Sequence, residues 1–275
     1  MHGSHFRKGD VPNLPTASVN VPWLSGDRKP DQRTVPEESP IALVYDGTTA
    51  AVVMATPADL VDLAVGFSLT EGVIRDRDEI DTLEIVPNRH GIELRMWLTA
   101  RSGRQFKKRQ RRLVGPTGCG LCGIESLAEA TRSLGPLARK ISLRSSQIER
   151  AIGALSRAQA LNHATHATHA AGFYLPDDTL VVTREDVGRH NAVDKLAGAL
   201  AAREIPGQCG AILLTSRVSI ELVQKAAAIG CPMLVAISAP TALAIRTAEA
   251  CGMTLVAVAR GVSFEIFSHP DGIVE

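Results

Sequence analysis

The chain reads Thr183-Arg184-Glu185-Asp186-Val187-Gly188-Arg189-His190-Asn191-Ala192-Val193-Asp194-Lys195 in its densest polar stretch. The apolar run Thr179–Thr183 leads into this stretch, and a helical pattern over Asn191–Arg203 follows it. Polar residues between a short apolar run and a helical pattern are typical of the connection from a buried strand to a helix. The stretch therefore predicts a strand that ends near Thr183 and a helix that begins near Asn191.

The same strand-helix alternation continues to the end of the chain. Short, nearly all-apolar segments predict strands at Thr179–Thr183, Ala211–Thr215, Met233–Ile237 and Thr254–Val258. Helical patterns separate them, at Asn191–Arg203, Ile220–Ile229 and Thr241–Cys251. Strands that are apolar throughout are buried on both faces, and their alternation with helices favours a parallel sheet. Residues 124–275 are therefore expected to form an α/β domain with a mostly parallel sheet.

Polar and cationic groups gather where these strands end. The ends carry Arg184-Glu185-Asp186, Ser216-Arg217, Ser238-Ala239-Pro240 and Arg260-Gly261. Ligands of open α/β sheets bind outside the carboxyl ends of the strands, and helix N-termini with nearby arginines favour anions. This edge is the candidate pocket for a phosphate-bearing ligand, with Arg189, His190 and Asn191 as candidate contacts. The alternative is an internal network of salt bridges and caps that holds the loop.

The last strand is followed by Arg260-Gly261-Val262-Ser263-Phe264-Glu265-Ile266-Phe267. Aromatic side chains beside a cation can stack on a purine or pterin ring. The same aromatics can instead belong to the core as part of an edge strand. The residues alone leave both interpretations open.

The first 99 residues divide into an arm and a small folded part. Residues 1–36 have scattered prolines and charges with little periodicity, which predicts a mobile arm. Residues 37–99 predict an α+β subdomain with an antiparallel sheet. It has a hairpin around Asp46-Gly47, a helix that begins at Ala58, and strands at Thr82–Val86 and Ile92–Leu98. Helical patterns over Ile124–Leu134 and Ser146–Leu161 connect this part to the alternating region.

Residues 100–123 form a long basic loop that ends in Cys119-Gly120-Leu121-Cys122-Gly123. Seven Lys or Arg lie among residues 101–112, and cations favour the thiolate, which is the form of cysteine that attacks. Three functions fit Cys-x-x-Cys: half of a zinc site, a disulfide redox pair, or a sulfur carrier with a helper thiol. A structural zinc site needs four ligands, and no second Cys-x-x-Cys follows. A thioredoxin-like pair would lie within the strand-helix repeat, whereas this pair precedes it.

Two further patterns in the sequence bear on metal binding. His163, His166 and His169 recur every third residue and would form a stripe on a helix, or they are the polar side of a helix end. Zinc deaminases carry His-x-Glu before Pro-Cys-x-x-Cys. This chain has His169-Ala170-Ala171, without the glutamate, and its cysteine pair comes first. The order and the missing glutamate argue against a zinc hydrolase or deaminase, and no metal is expected.

Composition narrows the class of protein. The net charge is +1, which does not favour nucleic acid as a partner, and 45% of the residues are hydrophobic, which is enough for a core. There is no apolar run of the length that a membrane span needs and no apolar region of a signal peptide near the N-terminus. We therefore expect a cytoplasmic protein without a membrane partner. The chain has five cysteines, and in a reducing compartment catalytic or metal roles for cysteine are more common than disulfides.

Taken together, these motifs resemble the FdhD family of sulfur carrier proteins, which are needed to activate formate dehydrogenase. The resemblance covers nearly everything after the N-terminal arm. The stretch Glu185–Lys195 and the Cys119–Gly123 loop are its most specific parts. It also includes Met54-Ala55-Thr56-Pro57, Gly66-Phe67, Glu71-Gly72, Arg217-Val218-Ser219, Glu221, Lys225, Ser238-Ala239-Pro240-Thr241 and Arg260-Gly261.

The resemblance implies a mechanism, partners and site residues. A cysteine desulfurase would supply persulfide sulfur to Cys119, with Cys122 as its neighbour, and the sulfur would pass to the molybdenum cofactor, bis-molybdopterin guanine dinucleotide, for formate dehydrogenase. A homodimer and a C-terminal domain similar to the cytidine deaminase fold, without the zinc, are also implied. The segment near Phe264–Phe267 matches the family's guanine dinucleotide contact region. The implied cofactor contacts therefore extend over Arg260, Gly261, Ser263, Phe264, Glu265, Ile266 and Phe267.

The sequence departs from the family pattern in two places. The family usually has Thr-Gly-Gly-x-His-Ala where this chain has Thr165-His166-Ala167-Thr168-His169-Ala170. It usually has Ser-Gly-Arg where this chain has Thr215-Ser216-Arg217. A glycine that is lost removes an easy position for positive φ, so the turn after Thr165 is expected to change.

Overall fold

A computed structural model describes residues 14–100, 102–104, 106, 134–138 and 141–275, and the backbone of His5–Phe6. The predicted helix Ile124–Leu134, apart from Leu134, lies outside the described residues, as do both cysteines of Cys-x-x-Cys.

The described residues form strands in two larger sheets and two small ones. In the N-terminal half the strands are β1 (His5–Phe6), β2 (Ser18–Leu24), β3 (Pro30–Pro36), β4 (Ser39–Tyr45), β5 (Thr48–Ala55), β6 (Ile80–Asn88) and β7 (Gly91–Leu98). In the C-terminal half they are β8 (Leu143–Arg144), β9 (His169–Tyr174), β10 (Leu180–Asp186), β11 (Ala211–Leu214), β12 (Met233–Ala236), β13 (Thr254–Arg260), β14 (Ser263–Ser268) and β15 (Ile273–Val274). The helices are α1 (Leu60–Thr70), α2 (Ser145–Arg157), α3 (Ala160–Thr165), α4 (Arg189–Ala202), α5 (Ile220–Ala228) and α6 (Ala242–Cys251).

The N-terminal half is a five-stranded sheet covered by α1, with strand order β1-β6-β7-β4-β5. Alternate residues of β4 and β7, such as Ile41, Leu43 and Leu94, face α1 and form a core with Leu63 and Ala64. This period-two burial is what the alternating apolar pattern of these strands requires. The predicted hairpin at Asp46-Gly47 is confirmed, because β4 pairs antiparallel with β5.

The C-terminal half is a three-layer α/β structure. Its six-stranded sheet has the order β10-β9-β11-β12-β13-β14. Helices α4, α5 and α6 cover one face of the sheet, where residues such as Ile212 and Leu234 are buried. Helix α2 covers the other face, where Leu213 and Val235 are buried. Burial of both faces explains why these strands are apolar throughout.

The α/β class is confirmed, but the pairing expected within each sheet needs correction. The C-terminal sheet is mixed: β11-β12 and β12-β13 are parallel, whereas β10-β9, β9-β11 and β13-β14 are antiparallel. The N-terminal sheet is also mixed, since β4-β7 and β1-β6 are parallel. Strands joined by a tight turn become antiparallel neighbours, and a crossover helix such as α1 permits a parallel pair.

The segment expected to be an irregular arm contains a β-hairpin. Strands β2 and β3 pair antiparallel from Ser18↔Pro36 to Leu24↔Pro30. Apolar residues Val19, Val21 and Trp23 alternate with polar ones along β2, and Trp23 is 41% exposed. Pro22 and Pro30 lie at exposed positions of this separate two-stranded ribbon and Pro36 is half-buried at its end, where a strand tolerates a missing donor.

The turn after α3 keeps a left-handed backbone although its glycine is absent. His166 ends α3 with φ 56° and ψ 27°. Left-handed conformations cost L-residues about 1–2 kcal/mol, although histidine tolerates them better than most. The expected change of the turn is therefore not observed: residue 166 has a positive φ, with a histidine under strain.

We expect His166→Gly to raise the free energy of unfolding by about 0.5–1 kcal/mol, because glycine adopts positive φ without strain. Ala167→Gly is the matched control. The neighbouring Ala167 is exposed and does not have positive φ, so glycine there should destabilise by about 0.5–1 kcal/mol. Urea unfolding of both variants checks the pair. Equal destabilisation by the two glycines would contradict the assignment of strain to His166.

Candidate functional site

The strands bring the predicted polar segments to one edge of the C-terminal sheet. Strands β10, β11, β12 and β13 run in the same direction, so their carboxyl ends lie at this edge. Strand β9 runs the opposite way, so its first residue, His169, lies there too, paired with Asp186. The extended segments after β11 and β12 continue side by side through the bridge Val218↔Pro240. The predicted candidate pocket is therefore a contiguous edge.

Helices α4, α5 and α6 all begin at this edge. The N-cap residues of α4 and α5 are Gly188 and Ser219, and neither caps its helix with a side-chain hydrogen bond. Thr241 caps α6 by accepting a hydrogen bond from the Ala244 amide at 3.2 Å. Uncapped helix N-termini present unpaired N–H groups and a partial positive charge. The edge can therefore bind an anion at the start of α4, whereas the carboxylate of Glu221 lies in the first turn of α5.

Arg189 and His190 open α4 beside these free amides. The buried Nε of Arg189 and Nε2 of His190 have no hydrogen-bond partner among the described residues. Burial, together with the Arg189 charge, lowers the pKa of His190 to about 4, and Glu221, with its Oε2 3.9 Å from Nε2, opposes this shift. Burial also lowers the pKa of His169. His190 is thus neutral at pH 7 and can act as a hydrogen-bonding group.

Asn191 and Asp186 are used inside the protein. Asp186 and Lys195 form a fully buried ion pair of 2.6 Å. The Asn191 amide nitrogen donates to Asp186 Oδ1 at 3.0 Å and to the Met54 carbonyl at 2.8 Å. Asn191, a candidate ligand contact, is thus 7% exposed and its Nδ2 is engaged. These residues form the internal network that was the alternative interpretation of the stretch.

Arg184 and Glu185 also face the protein. Arg184 pairs with Asp62 of α1 at 2.6 Å. Glu185 accepts hydrogen bonds from the backbone amides of Leu161 and Asn162, at 2.8 and 2.7 Å, so that its carboxylate stabilises the start of α3. Within the polar stretch, this leaves Arg189 and His190 at the open edge.

The predicted contacts Arg260, Gly261, Ser263, Glu265 and Ile266 lie on the β13-β14 hairpin and are exposed. Gly261, with φ 56°, makes its turn. The two aromatics lie on opposite faces of the sheet: Phe264 packs with the core under α2, and Phe267 packs with the core under α4–α6. A single ring can therefore stack on only one of them.

A strained residue precedes this hairpin. Val258 has φ 53°, which is an outlier for a β-branched residue. It lies in a β-bulge, and it reverses the alternation of β13, since Ala257 faces α4–α6 and Ala259 faces α2. Arg260, the next residue, then lies on the face of the sheet that α4, α5 and α6 cover. Strained backbone is common at functional sites, and here it adjoins the predicted cofactor segment.

The two groups of candidate contacts lie at opposite ends of the same edge. Arg189 and His190 follow β10, whereas the hairpin follows β13, four strand spacings away in the sheet order. Neighbouring strands are 4.7–4.9 Å apart, so strands β10 and β13 are about 19 Å apart across the sheet. A compact phosphate would contact one group only, and an elongated ligand is needed to reach both.

The three histidines do not form a stripe on one helix. His163 belongs to α3, His166 ends it and His169 begins β9. Among the described residues, no three His, Cys, Asp or Glu side chains lie close enough together to hold a metal ion. None of the helices in the described ranges has both the length and the apolar character of a membrane-spanning helix.

Sequence reasoning missed a second buried ion pair, in which Lys225 contacts Asp194 and Glu71, each at 2.8 Å. Thr70 donates to Asp194 Oδ1 at 2.6 Å. Residues of the N-terminal half contact both ion pairs. Thr56 forms hydrogen bonds with Asp186 and Lys195, and Glu71 pairs with Lys225. A signal existed: Asp194 and Lys195 interrupt an otherwise apolar run of α4, and charged residues are buried only when paired.

The candidate thiols Cys119 and Cys122 lie outside the described residues. Of the described cysteines, Cys231 and Cys251 are buried and Cys209 is exposed. Burial raises the pKa of the Cys231 thiol to about 12, so this sulfur remains a thiol. Cys231 and Cys251 thus pack as small buried hydrophobic residues, whereas the exposed Cys209 ends the short 3-10 helix Gly207–Cys209.

Comparisons with known proteins give one consistent family. The model of the FdhD/NarQ family matches residues 36–274. Proteins named sulfur carrier protein FdhD are 52% identical in Agrobacterium fabrum, over 88% of this chain and 90% of that protein, and 44% identical in Cupriavidus necator, over 98% and 93%. The crystal structure of a protein from Desulfotalea psychrophila, described as a formate dehydrogenase accessory protein, has a TM-score of 0.72 and 26% identity. It covers 94% of this chain and 100% of that one. With the family model spanning both halves and the relatives matching most of the chain, this protein belongs to the FdhD/NarQ family.

Proposed function

We propose that this protein is a persulfide-based sulfurtransferase. It accepts sulfur from a cysteine desulfurase on Cys119 and transfers it to bis-molybdopterin guanine dinucleotide, the cofactor required for formate dehydrogenase activity. The observation that carries the proposal is the family match over residues 36–274, which includes Cys119-Gly120-Leu121-Cys122, with relatives named sulfur carrier proteins. The proposal includes a homodimer and formate dehydrogenase as the destination of the cofactor.

The transfer steps follow from thiol chemistry. The Cys119 thiolate attacks the outer sulfur of the donor persulfide, the donor S–S bond breaks, and the donor leaves as a thiolate. Cys119 then carries the persulfide. If Cys122 attacks the inner sulfur, a Cys119–Cys122 disulfide forms and the outer sulfur leaves as sulfide for the acceptor. A dithiol reductant must then reduce the disulfide before the next cycle.

The polar edge of the C-terminal sheet supports the second half of the proposal. The start of α4, with Arg189 and His190, offers donors to phosphate. The β13-β14 hairpin offers Arg260 and either Phe264 or Phe267 to a guanine or pterin ring. A dinucleotide is elongated and carries both kinds of group, so it suits an edge whose two ends are about 19 Å apart.

Sulfur loading of Cys119 tests the proposal. The protein is incubated with a cysteine desulfurase and cysteine, and peptides are analysed by mass spectrometry. We expect the mass of one sulfur atom on the Cys119 peptide, loss of this gain in Cys119→Ala, and an unchanged gain in Cys209→Ala, which removes an exposed cysteine of the described residues. Absence of sulfur on Cys119 in the unaltered protein would overturn the proposal.

A non-catalytic chaperone for the same cofactor is the second candidate, and the edge alone favours it equally. The chaperone predicts that Cys119→Ala still supports formate dehydrogenase activity. An inactive dehydrogenase in cells that contain Cys119→Ala, at normal protein levels, would exclude the chaperone. Activity in cells with Cys122→Ala would show that the second thiol is dispensable.

A further inference from the structure

Arg189 and His190 follow a turn, Val187-Gly188, whose two amides donate hydrogen bonds to the side chains of Asp186 and Thr56. Asp186 Oδ1 accepts the Gly188 amide at 2.7 Å. The Val187 amide donates to the hydroxyl of Thr56 at 3.2 Å. The direction in which α4 starts thus depends on two acceptors, of which one belongs to the N-terminal half.

Thr56 is the residue of the N-terminal half that contacts both the turn and the ion pair beneath it. Its amide donates to Asp186 Oδ2 at 3.0 Å, and its carbonyl accepts from Lys195 Nζ at 2.9 Å. The side chain of Thr56 is fully buried. Its amide, carbonyl and hydroxyl all have partners on the β10-α4 connection, so a displacement of residue 56 would displace the turn.

The proposed ligand does not reach Thr56, because Thr56 lies beneath the turn and has no exposed surface. Its influence on binding must therefore be indirect. A hydrogen bond from a buried amide is costly to leave unmade, and an amide that loses its acceptor will reorient toward water. Loss of the Thr56 hydroxyl would thus free the turn that presents Arg189 and His190.

We infer that Thr56 is a positioning residue of the anion-binding edge. The N-terminal half fixes the Val187-Gly188 turn through the Thr56 hydroxyl. The turn in its place sets the direction of Arg189, His190 and the first amides of α4. The inference rests on the proposed function for the identity of the ligand. It assigns to the N-terminal half a role in binding at an edge that is built from the C-terminal half.

Thr70 provides a matched control. It is also a buried threonine of the N-terminal half, and its hydroxyl contacts the other buried ion pair, donating to Asp194 at 2.6 Å and accepting from Lys225 at 3.1 Å. Thr56→Val and Thr70→Val therefore make the same chemical change at the same junction. Of these two threonines, only Thr56 contacts the Val187-Gly188 turn through its hydroxyl.

The test measures guanosine diphosphate binding by calorimetry and the hydrogen exchange of residues 187–190. We expect both valine variants to lower the melting temperature to a similar extent, Thr56→Val to weaken nucleotide binding about fivefold, and Thr70→Val to leave binding unchanged. Amides 187–190 should exchange faster in Thr56→Val alone. Thr56→Ser, which keeps the hydroxyl, should restore both properties.

Each outcome decides one statement. Equal nucleotide affinity and equal exchange in the two valine variants would overturn the positioning role and leave the proposed function intact. Absence of nucleotide binding by the unaltered protein would overturn the cofactor site itself, and with it this inference, whereas Cys119 loading would remain a separate result.

Discussion

Gly66→Ala is expected to lower the free energy of unfolding by about 3 kcal/mol, at the upper end of what overpacking costs. Helix α1 crosses α4 with backbone against backbone at this position. A Cβ on Gly66 would lie 1.6 Å from the Asp194 carbonyl oxygen, and a Cβ on Gly198 would lie 2.0 Å from the Asp62 carbonyl oxygen. The helices must separate to admit a methyl group, since the obstructing atoms are backbone atoms.

Gly153→Ala in α2 is the control for this change. Its Cβ would meet only the end of the Arg157 side chain, at 3.4 Å. Alanine is there expected to stabilise by about 0.5–1 kcal/mol, because glycine is a poor residue inside a helix. Chemical denaturation of both variants measures the difference. A Gly66→Ala protein as stable as the unaltered one would mean that the crossing is looser than described.

Lys225→Met is expected to lower the free energy of unfolding by about 3–5 kcal/mol, the usual cost of removing one partner of a buried ion pair. Asp194 is 1% exposed and would keep no cation beside it. By contrast, Lys29→Met removes the exposed pair with Asp27, and exposed pairs contribute little to stability. Thermal unfolding of the two variants compares a buried with an exposed lysine.

The loss caused by Lys225→Met should depend on pH. Burial raises the pKa of Asp194, and Lys225 opposes that shift, so without Lys225 the pKa rises further. A carboxyl group whose pKa is higher in the folded than in the unfolded protein destabilises the fold when the pH favours its ionised form. This destabilisation begins as pH rises above about 4, the ordinary pKa of Asp. The difference from the unaltered protein should therefore shrink as pH falls from 8 to 5. A difference that is constant over this range would contradict the prediction, because it would show that the ionisation of Asp194 does not change between pH 5 and 8 in either protein.

The sequence predicted elements well where one local pattern decided them. Strands such as Met233–Ala236 and helices such as Ile220–Ala228 agree with the expected bounds within a residue or two. Strand β9 was missed, because Ala170-Ala171-Gly172 has poor strand propensity and its burial comes from neighbouring strands. Two of the antiparallel pairs of the sheet follow from that missing strand, which inserts between β10 and β11, and the third is the β13-β14 hairpin.

The polar stretch shows what a local pattern cannot decide. Its position at a strand end predicted a polar edge as the candidate binding site, and Arg189 and His190 lie at that edge. The sequence could not separate these residues from Asp186, Asn191 and Lys195, because the partners of the latter, Met54 and Thr56, are about 130 residues away in the chain. The positive φ of Val258 likewise has no local signal, since valine avoids that conformation.

The reciprocal crossing of α1 and α4 also bears on how the chain can be divided. Each helix carries Asp-x-x-x-Gly, Asp62 to Gly66 and Asp194 to Gly198, and each glycine lies against the aspartate carbonyl of the other helix. A fragment that begins after residue 133 would expose the bare backbone groove of α4 together with the charges of Asp194 and Lys225. Because the backbones of α1 and α4 are in contact, a substitution in one helix must be compatible with the other. A recombinant that takes one half from a relative must therefore take both α1 and α4 from that relative.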